Sequence, residues 1–555
     1  MPERKKKWLL LKWFFGIIGL LLLVFIIYIL IVSKTNPPPV KDKTALSWQR
    51  IEQSPGYYTI KNNWFRKSKS GLYELYVEGQ PFDRGVVNGK LTRELIQLQE
   101  DYFNDQIVRM VPSKFYRHFL KYAIGWFNRD LDKYVTEEDK EEIYGISLSA
   151  SDKYGYIGNN YQRILNYHAA HDIGHALQNL ALVGCTSFGT WGSRSMDSTL
   201  IIGRNFDFYV GDQFAENKIV SFEKPTDGFK FMSVTWAGFI GVVSGMNEKG
   251  LTVTINAAKS DIPSASATPV SLVAREILQY AENIDEAMAI AGKRKMFVSE
   301  SFLIGSAEDG RAVLIEKTPD SIALYDPGKN EIICANHFQS RELGNLRSNR
   351  IQIRQSASDY RYHRLEELLG TVKKNTVAKT AQILRDREGL ENTDIGMGNE
   401  KAINQLIAHH SIIFEPAKKL VWVSTSPWQL GEYVCYDLNK VFSLTGLQSG
   451  HEIADTSLNL PADSFLLTKP YQLFLTYRRY RKTILDGGDV NPDSIIAVNP
   501  SYYQAYQLAG NEMFRKKEYK RAIQYYREAL SREIATKTEE NEIRNQISRS
   551  EEKLK

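Results

Sequence analysis

Cysteine is scarce in this chain: only Cys185, Cys334 and Cys435 occur in 555 residues. That excludes a disulfide framework and leaves room for one bridge at most. Excess charge is scarce too. Lys and Arg total 71 against 65 Asp and Glu, a formal charge of +6. A protein of this length with so little excess charge lacks the concentrated basic stripe of a nucleic-acid binder. Apolar residues are plentiful at 43%, with 25% charged. A sizeable core can form, and the length suggests two or three structural units.

One long uncharged run stands at the N-terminus. Arg4, Lys5, Lys6 and Lys7 precede a stretch from Trp13 to Val32 that holds no charge. It is long enough to cross the hydrocarbon core as a helix. It exceeds the apolar region of a typical signal peptide, and "LIVSKTN" is a poor small-residue cleavage site. The stretch reads as an uncleaved anchor in preference to a cleaved signal peptide. The cationic cluster then stays in the cytoplasm, and the rest of a single-pass protein faces outward, into the periplasm if the source is a Gram-negative bacterium.

Residues 1–33 are thus a basic tip and transmembrane anchor. Residues 34–60, with "TNPPPVKDK", read as an extended stalk. Residues 61–184 form a first segment that opens with a strand, a turn and a helix around "LYELYVEGQPFDRGVVNGKL". From Cys185 to about residue 445 the chain is rich in strands, with turns at Asn247–Gly250 and Glu308–Gly310. Helical patterns are inserted between them. This predicts an α+β domain of two antiparallel sheets covered by helices. Residues 446–495 read as a linker and a basic helix. Residues 496–555 read as a tetratricopeptide-like pair of helices and a charged tail, with Ala509, Gly510, Phe514, Tyr519, Ala522, Ile523, Tyr526, Ala529 and Leu530 at the small and apolar positions. One such repeat cannot bury its faces alone, so it must dock on the main domain or on a protein partner.

Cys185 follows a glycine in "ALVGCTSFGTWG". If the bond between Gly184 and Cys185 is cut, Cys185 carries both a thiol and a free α-amine. A thiol pKa of about 8.5 and an α-amine pKa of about 7.7–8.0 make the amine a base for its own thiol. Gly184 suits such a cut because glycine tolerates strained backbone. Downstream, "GRNFDF" offers Arg204 to favour a thiolate and Asp207 to orient the amine. Asn256 closes "GMNEKGLTVTIN" and Asn336 lies in "ICANHF". Each asparagine has a second reading as the polar cap of a strand end.

These motifs, in this order, resemble the N-terminal nucleophile (Ntn) hydrolases of the acyl-coenzyme A:6-aminopenicillanic acid acyltransferase-like family, and more distantly the choloylglycine hydrolases. The resemblance covers roughly residues 70–440 and rests on the ordered combination. It implies a four-layer αββα sandwich and self-cleavage between Gly184 and Cys185. It also implies a Cys185 acyl-enzyme formed from an acyl amide or acyl thioester, in an amidohydrolase or an acyltransferase. By the same resemblance Arg204 and Asp207 support the nucleophile, Asn256 is the oxyanion donor and Asn336 is a second polar group over the acyl site. Arg361 and Arg364 are candidates for the family's late arginine, with a solvated helix face as the competing account.

No cofactor or metal is expected. His168, His171 and His175 share one helical face, but no further ligand cluster accompanies them, and a polar face packed near Cys185 is the simpler reading. The alternative to an enzyme is an inactive Ntn-fold scaffold on a membrane. The intact set Cys185, Arg204, Asp207, Asn256 and Asn336 argues against decay.

Overall fold

A computed structural model of the protein describes residues 2–177, 184–209, 211–259, 266–448 and 450–555. Among the described residues the strands form two sheets, one of eleven strands and one of six. The smaller is ordered Glu331–Cys334, Thr186–Thr190, Ile201–Phe206, His410–Glu415, Leu420–Ser424, Tyr433–Asp437, all antiparallel. In the larger sheet Tyr73–Gly79 runs parallel to Ile219–Pro225. The two halves of the chain, before and after Cys185, therefore share one hydrogen-bonded ladder.

Period-two alternation divides each strand between two faces. Ile202, Ile412, Phe414, Val421 and Val423 of the smaller sheet lie in one cluster with Trp64, Phe222 and Leu303 of the larger. Their neighbours Ile201, Ile413 and Trp422 lie in another, against Leu365 and Leu369 of the helix Ser358–Thr371 and Leu384 of Val377–Leu384. On the far side of the larger sheet, Val253, Ile255, Phe302 and Ile304 pack with Val273, Ile277 and Ala287 of the helices Val270–Tyr280 and Ile284–Lys293. The order is helix, sheet, sheet, helix, and the mixed α+β class expected from the sequence is what the chain adopts. All three cysteines are buried and free.

The motif "PFDRGVVNG" has a packing origin. The helix Pro81–Leu91 crosses Glu137–Ser147 so closely that a Cβ at Gly85 would stand 2.1 Å from the Glu142 carbonyl oxygen. A Cβ at Gly145 would stand 2.5 Å from the Val86 nitrogen. Beneath this crossing lies a buried ionic network. Glu142 accepts from Arg84 at 2.6 Å and from Arg275 at 2.8 Å, and Arg275 also reaches Glu223 at 3.0 Å. Arg84 and Glu142 precede Cys185; Glu223 and Arg275 follow it.

Two sequence expectations change here. The stalk ends earlier than residue 60, because Ile51–Ser54 and Tyr57–Ile60 form the edge of the larger sheet. Tyr57 and Ile60 are buried there, which a solvated stalk would not allow. In residues 446–495 the basic helix is present as Lys469–Leu485, but the linker before it is packed on the body. Bridges join Tyr433 to Leu460 and Tyr436 to Ala454, and Tyr471, Phe474 and Tyr477 of the helix Lys469–Leu485 are buried. The C-terminal helices Tyr503–Arg515 and Tyr519–Leu530 meet at Gly510, where a Cβ would stand 2.5 Å from a Tyr526 ring carbon. Their apolar faces share a cluster with Leu406, Ala408, Trp428 and Leu430, so they dock on the two-sheet body.

The ionic network generates a prediction. Removing Arg275 leaves Glu142 and Glu223 buried with one cation between them, and breaking a buried pair costs about 3–5 kcal/mol. Arg275→Met should lower stability in urea unfolding by that amount, whereas a change under about 0.5 kcal/mol, the size of a surface substitution, would show that the network holds nothing together.

Candidate functional site

Cys185 stands one residue before the strand Thr186–Thr190. Alternation turns Cys185 and Ser187 toward the larger sheet, and Thr186 toward the helix Ser358–Thr371. The contacts agree. Ser187 donates to Asn256 Oδ1 at 3.1 Å, and Arg361 on that helix donates to Thr186 Oγ1 at 2.6 Å. Arg204 is in register with Ser187 on the adjacent strand and so shares the face of Cys185. Its Nη2 lies 3.6 Å from the Cys185 sulfur. The same Nη2 donates to the Ile255 carbonyl, and Nη1 donates to the Val243 carbonyl and to Ser244 Oγ.

The carbonyl of Gly184 is gripped from two sides. Arg361 Nη1 donates to it at 2.8 Å and Gln405 Nε2 at 2.8 Å. Arg361 also donates to the Cys185 carbonyl at 2.7 Å. The Gly184 N–H donates to the Asp207 carbonyl at 3.0 Å. The glycine matters here through packing and not through backbone strain. It is not held at a positive φ; instead a Cβ there would stand 2.5 Å from Gln405 Nε2, so a side chain would push away one of the two donors.

Burial dominates the electrostatics. It pushes the Cys185 thiol up to about 11, against the pull of Arg204, while Asp207 and Glu300 add to the rise and Arg361 opposes it. Arg204 acts in the direction expected of it, but desolvation wins, and the thiol of the uncut chain is protonated at neutral pH. Asp207 is fully buried with no hydrogen-bond partner for either carboxylate oxygen among the described residues, and burial raises it to about 7 although Arg361 and Arg204 oppose the shift. Glu300, paired with Ala257 on the neighbouring strand, is likewise buried, its carboxylate oxygens without a partner among the described residues, and is raised well above the usual carboxylate range by burial.

Both asparagines lie within this group. Asn256 Nδ2 donates to the carbonyls of Cys334 and Ala335 at 3.2 Å each. Its hydrogens therefore tie the two sheets together in the resting chain. Asn336 donates to the Ala257 carbonyl at 2.9 Å and accepts from Arg361 Nη2 at 2.8 Å. It fixes the fork of Arg361, whose first nitrogen holds Gly184.

Residues 194–426 match the family model of acyl-coenzyme A:6-aminopenicillanic acid acyl-transferase. The resemblance read from the motifs is shown by this match. It takes in Arg204, Asp207, Asn256, Asn336, Arg361 and Gln405, and begins after Cys185. An uncharacterised protein of Archaeoglobus fulgidus is 26% identical over 273 residues, 46% of this chain and 45% of that protein. Protein dcd1B of Dictyostelium discoideum is 22% identical over 267 residues, 45% of this chain and 51% of its own length. This chain thus spans about half the length of these curated relatives. Among solved structures, the Caenorhabditis elegans ortholog of N-acylethanolamine-hydrolyzing acid amidase is 16% identical with a TM-score of 0.30, over 42% of this chain and 93% of that one.

The expected five residues converge, and three others join them. Arg361 is buried and holds the Gly184 carbonyl, so the solvated-face account of it does not stand. Arg364 is also buried, but it faces away to pair with Asp386 at 2.9 Å. Gln405 and Glu300 carried no motif. His168 is structural: its Nδ1 meets the Ile164 carbonyl at 2.8 Å, its Nε2 accepts from the Ile240 N–H at 2.9 Å, and burial pushes its pKa down to about 4. The side chains of His171 and His175 lie outside the described residues, and no metal-holding cluster occurs among the described ones.

Asp207 yields a pH prediction for the uncut chain. Its proton is held to about pH 7 when folded and lost near 3.8 when not. The folded state therefore gains from it fully below 3.8 and loses that gain as pH rises through 7. In a Cys185→Ala background, the melting-temperature difference between Asp207 and Asp207→Asn should drift against Asp207 as pH rises from 4 to 7. A difference constant over that range would mean that Asp207 does not titrate there.

Proposed function

We propose that the chain is a membrane-anchored, self-processing cysteine Ntn enzyme, an amidohydrolase or acyltransferase that works through a Cys185 acyl-enzyme. The observation that carries this reading is the double grip of Arg361 and Gln405 on the carbonyl of Gly184, directly before a buried thiol.

A carbonyl oxygen that already accepts two hydrogen bonds, one from a cation, is polarised for attack on its carbon. Cys185 Sγ adds to that carbon, and the developing oxyanion stays on Arg361 and Gln405. The C–N bond to Cys185 breaks, and the thiol proton ends on the departing nitrogen. Gly184 is then held as a thioester on Cys185, and water releases it as a carboxylate. Cys185 is left with a free α-amine.

That amine answers the question raised by Asp207. A buried carboxyl without a partner is costly, and an α-ammonium formed beside it would supply one. In the mature enzyme the α-amine takes the thiol proton and the sulfur attacks an acyl amide or thioester. The protonated amine then gives its proton to the leaving group. Asn256 is proposed to join Arg361 in holding the substrate oxyanion, which requires one Nδ2 hydrogen to turn from the strand-end carbonyls. Asn336 positions Arg361. The acyl group finds an apolar cavity lined by Ile96, Phe103, Phe208, Phe214, Trp236 and Phe239. Phe208, one of its lining residues, is next in sequence to Asp207. Transfer to water or to another acceptor distinguishes hydrolase from acyltransferase.

The shared ladder of Tyr73–Gly79 with Ile219–Pro225 and the Arg84–Glu142–Arg275–Glu223 network would keep the two fragments together after cleavage. The apolar span Leu11–Val32, whose surface is exposed, is proposed as the anchor, with the catalytic body outside the cytoplasm.

Purified wild-type protein should run as two fragments, the second beginning at Cys185 by N-terminal sequencing and intact mass. Cys185→Ala should remain whole. Arg361→Ala should slow self-cleavage by about 10²–10³-fold, the usual cost of one oxyanion donor. A wild-type chain that is fully active while intact would contradict the proposal.

A further inference from the structure

The helix Lys114–Phe127, KFYRHFLKYAIGWF, contains no acidic residue. Lys114, Arg117 and Lys121 lie along it, and none pairs with a carboxylate among the described residues. Arg117 donates instead to the carbonyls of Val111 and Pro112, and Lys121 to that of Tyr156. Between them the helix holds large apolar side chains out of the protein: Phe115 is 78% exposed, Tyr116 65% and Phe119 66%. Val108 and Met110, at the end of the preceding helix Arg93–Met110, are exposed beside them. Elsewhere on the body, exposed apolar residues such as Met196 and Leu467 stand far apart in the sequence. A cluster of this kind on a soluble surface marks a contact with something apolar.

The position of the helix says what that contact is. Its last turn carries Gly125, and a Cβ there would stand 2.7 Å from the Cβ of Ser33. Ser33 directly follows the apolar span Leu11–Val32. Its carbonyl accepts from Gln162, and the carbonyl of Thr35 accepts from Asn159 at 2.8 Å. The end of the N-terminal helix is therefore fixed to the body at the foot of the aromatic, basic helix, without a slack tether. If Leu11–Val32 spans a bilayer, Ser33 lies at headgroup depth, and the last turn of the helix that touches it lies at the same depth.

From this geometry we infer that Lys114–Phe127 is an interfacial helix that lies in the outer surface of the same bilayer, its occupant being the lipid itself. Phe115, Tyr116 and Phe119 enter the acyl boundary, and Lys114, Arg117 and Lys121 meet anionic headgroups, the division of labour of an amphipathic surface helix. The inference rests on the reading of Leu11–Val32 as a membrane span. It adds that the catalytic body is seated on the membrane at a fixed attitude instead of swinging from an anchor. The helix Arg93–Met110 gives that attitude a consequence. Val108 sits in the exposed patch, and Ile96 and Phe103 of the same helix line the apolar cavity beside Phe208. Patch and cavity share one wall.

The test uses full-length protein in vesicles of equal parts phosphatidylcholine and phosphatidylglycerol. Single exposed cysteines are introduced as Phe119→Cys, Tyr28→Cys and Leu467→Cys in a Cys185→Ala background and labelled with an environment-sensitive fluorophore; Cys334 and Cys435 are buried. A quencher is carried on the lipid acyl chain. The position-119 probe should be quenched roughly twofold or more beyond the position-467 probe, approaching the position-28 probe. If position 28 is quenched and position 119 matches 467, the anchor stands and the interfacial helix is overturned, its aromatics then facing water or a second copy of the chain. If position 28 is not quenched either, the membrane span fails and this inference fails with it.

Discussion

The site is organised around one peptide carbonyl. The oxygen of Gly184 accepts from Arg361 and from Gln405, each at 2.8 Å. The two donors come from regions 177 and 221 residues away in sequence. The smaller sheet and the helix packed on its outer face must both be in place before they meet. Asn336 orients Arg361 from one side, and Thr186 and the Cys185 carbonyl do so from the other. The fold thus builds a charged, directional clamp on a bond that only a folded chain presents, which is what a self-limited cleavage would need.

Burial sets the energetics of everything around that carbonyl. Arg204, Asp207, Glu300 and Arg361 are all inside, where charge is poorly solvated and every unmatched group is costly. Arg204 is tied to three oxygens. The carboxylates of Asp207 and Glu300 have no hydrogen-bond partner among the described residues, and both are raised toward neutrality. The thiol responds to the same dry surroundings by holding its proton. An uncut chain is thus electrostatically incomplete at Asp207, and the base that would activate Cys185 appears only when its own nitrogen is released.

Much of this arrangement was legible in the sequence, and the reasons differ by residue. Cys185, Arg204 and Asp207 lie on or beside two adjacent strands, so their spacing along the chain reflects a local hairpin. Asn256 lies near the end of a strand whose alternation is plain, which fixes the face on which it stands, and Asn336 follows the strand Glu331–Cys334 by two residues. Arg361 was ambiguous because a basic helix with Arg361 and Arg364 three residues apart has the same pattern whether it faces water or a buried carbonyl; only the packing of Leu365 and Leu369 on the sheet decides it. Gln405 lies in a segment without regular structure, in "NQLIAHH", where no periodicity predicts direction. The edge strands in residues 51–60 were hidden by the prolines before them. The C-terminal helices were legible as a pair, but their docking on Trp428 and Leu430 depends on contacts that no local pattern encodes.

The central claim is that Cys185 carries the acyl group in turnover. The most direct measurement is peptide mapping by mass spectrometry of processed protein quenched in acid during reaction with a fatty-acyl thioester. The account predicts an acyl mass on the peptide that begins at Cys185, removed by neutral hydroxylamine and absent from Cys185→Ala. Turnover with the acyl group on another residue, or with turnover undiminished in Cys185→Ala, would contradict it.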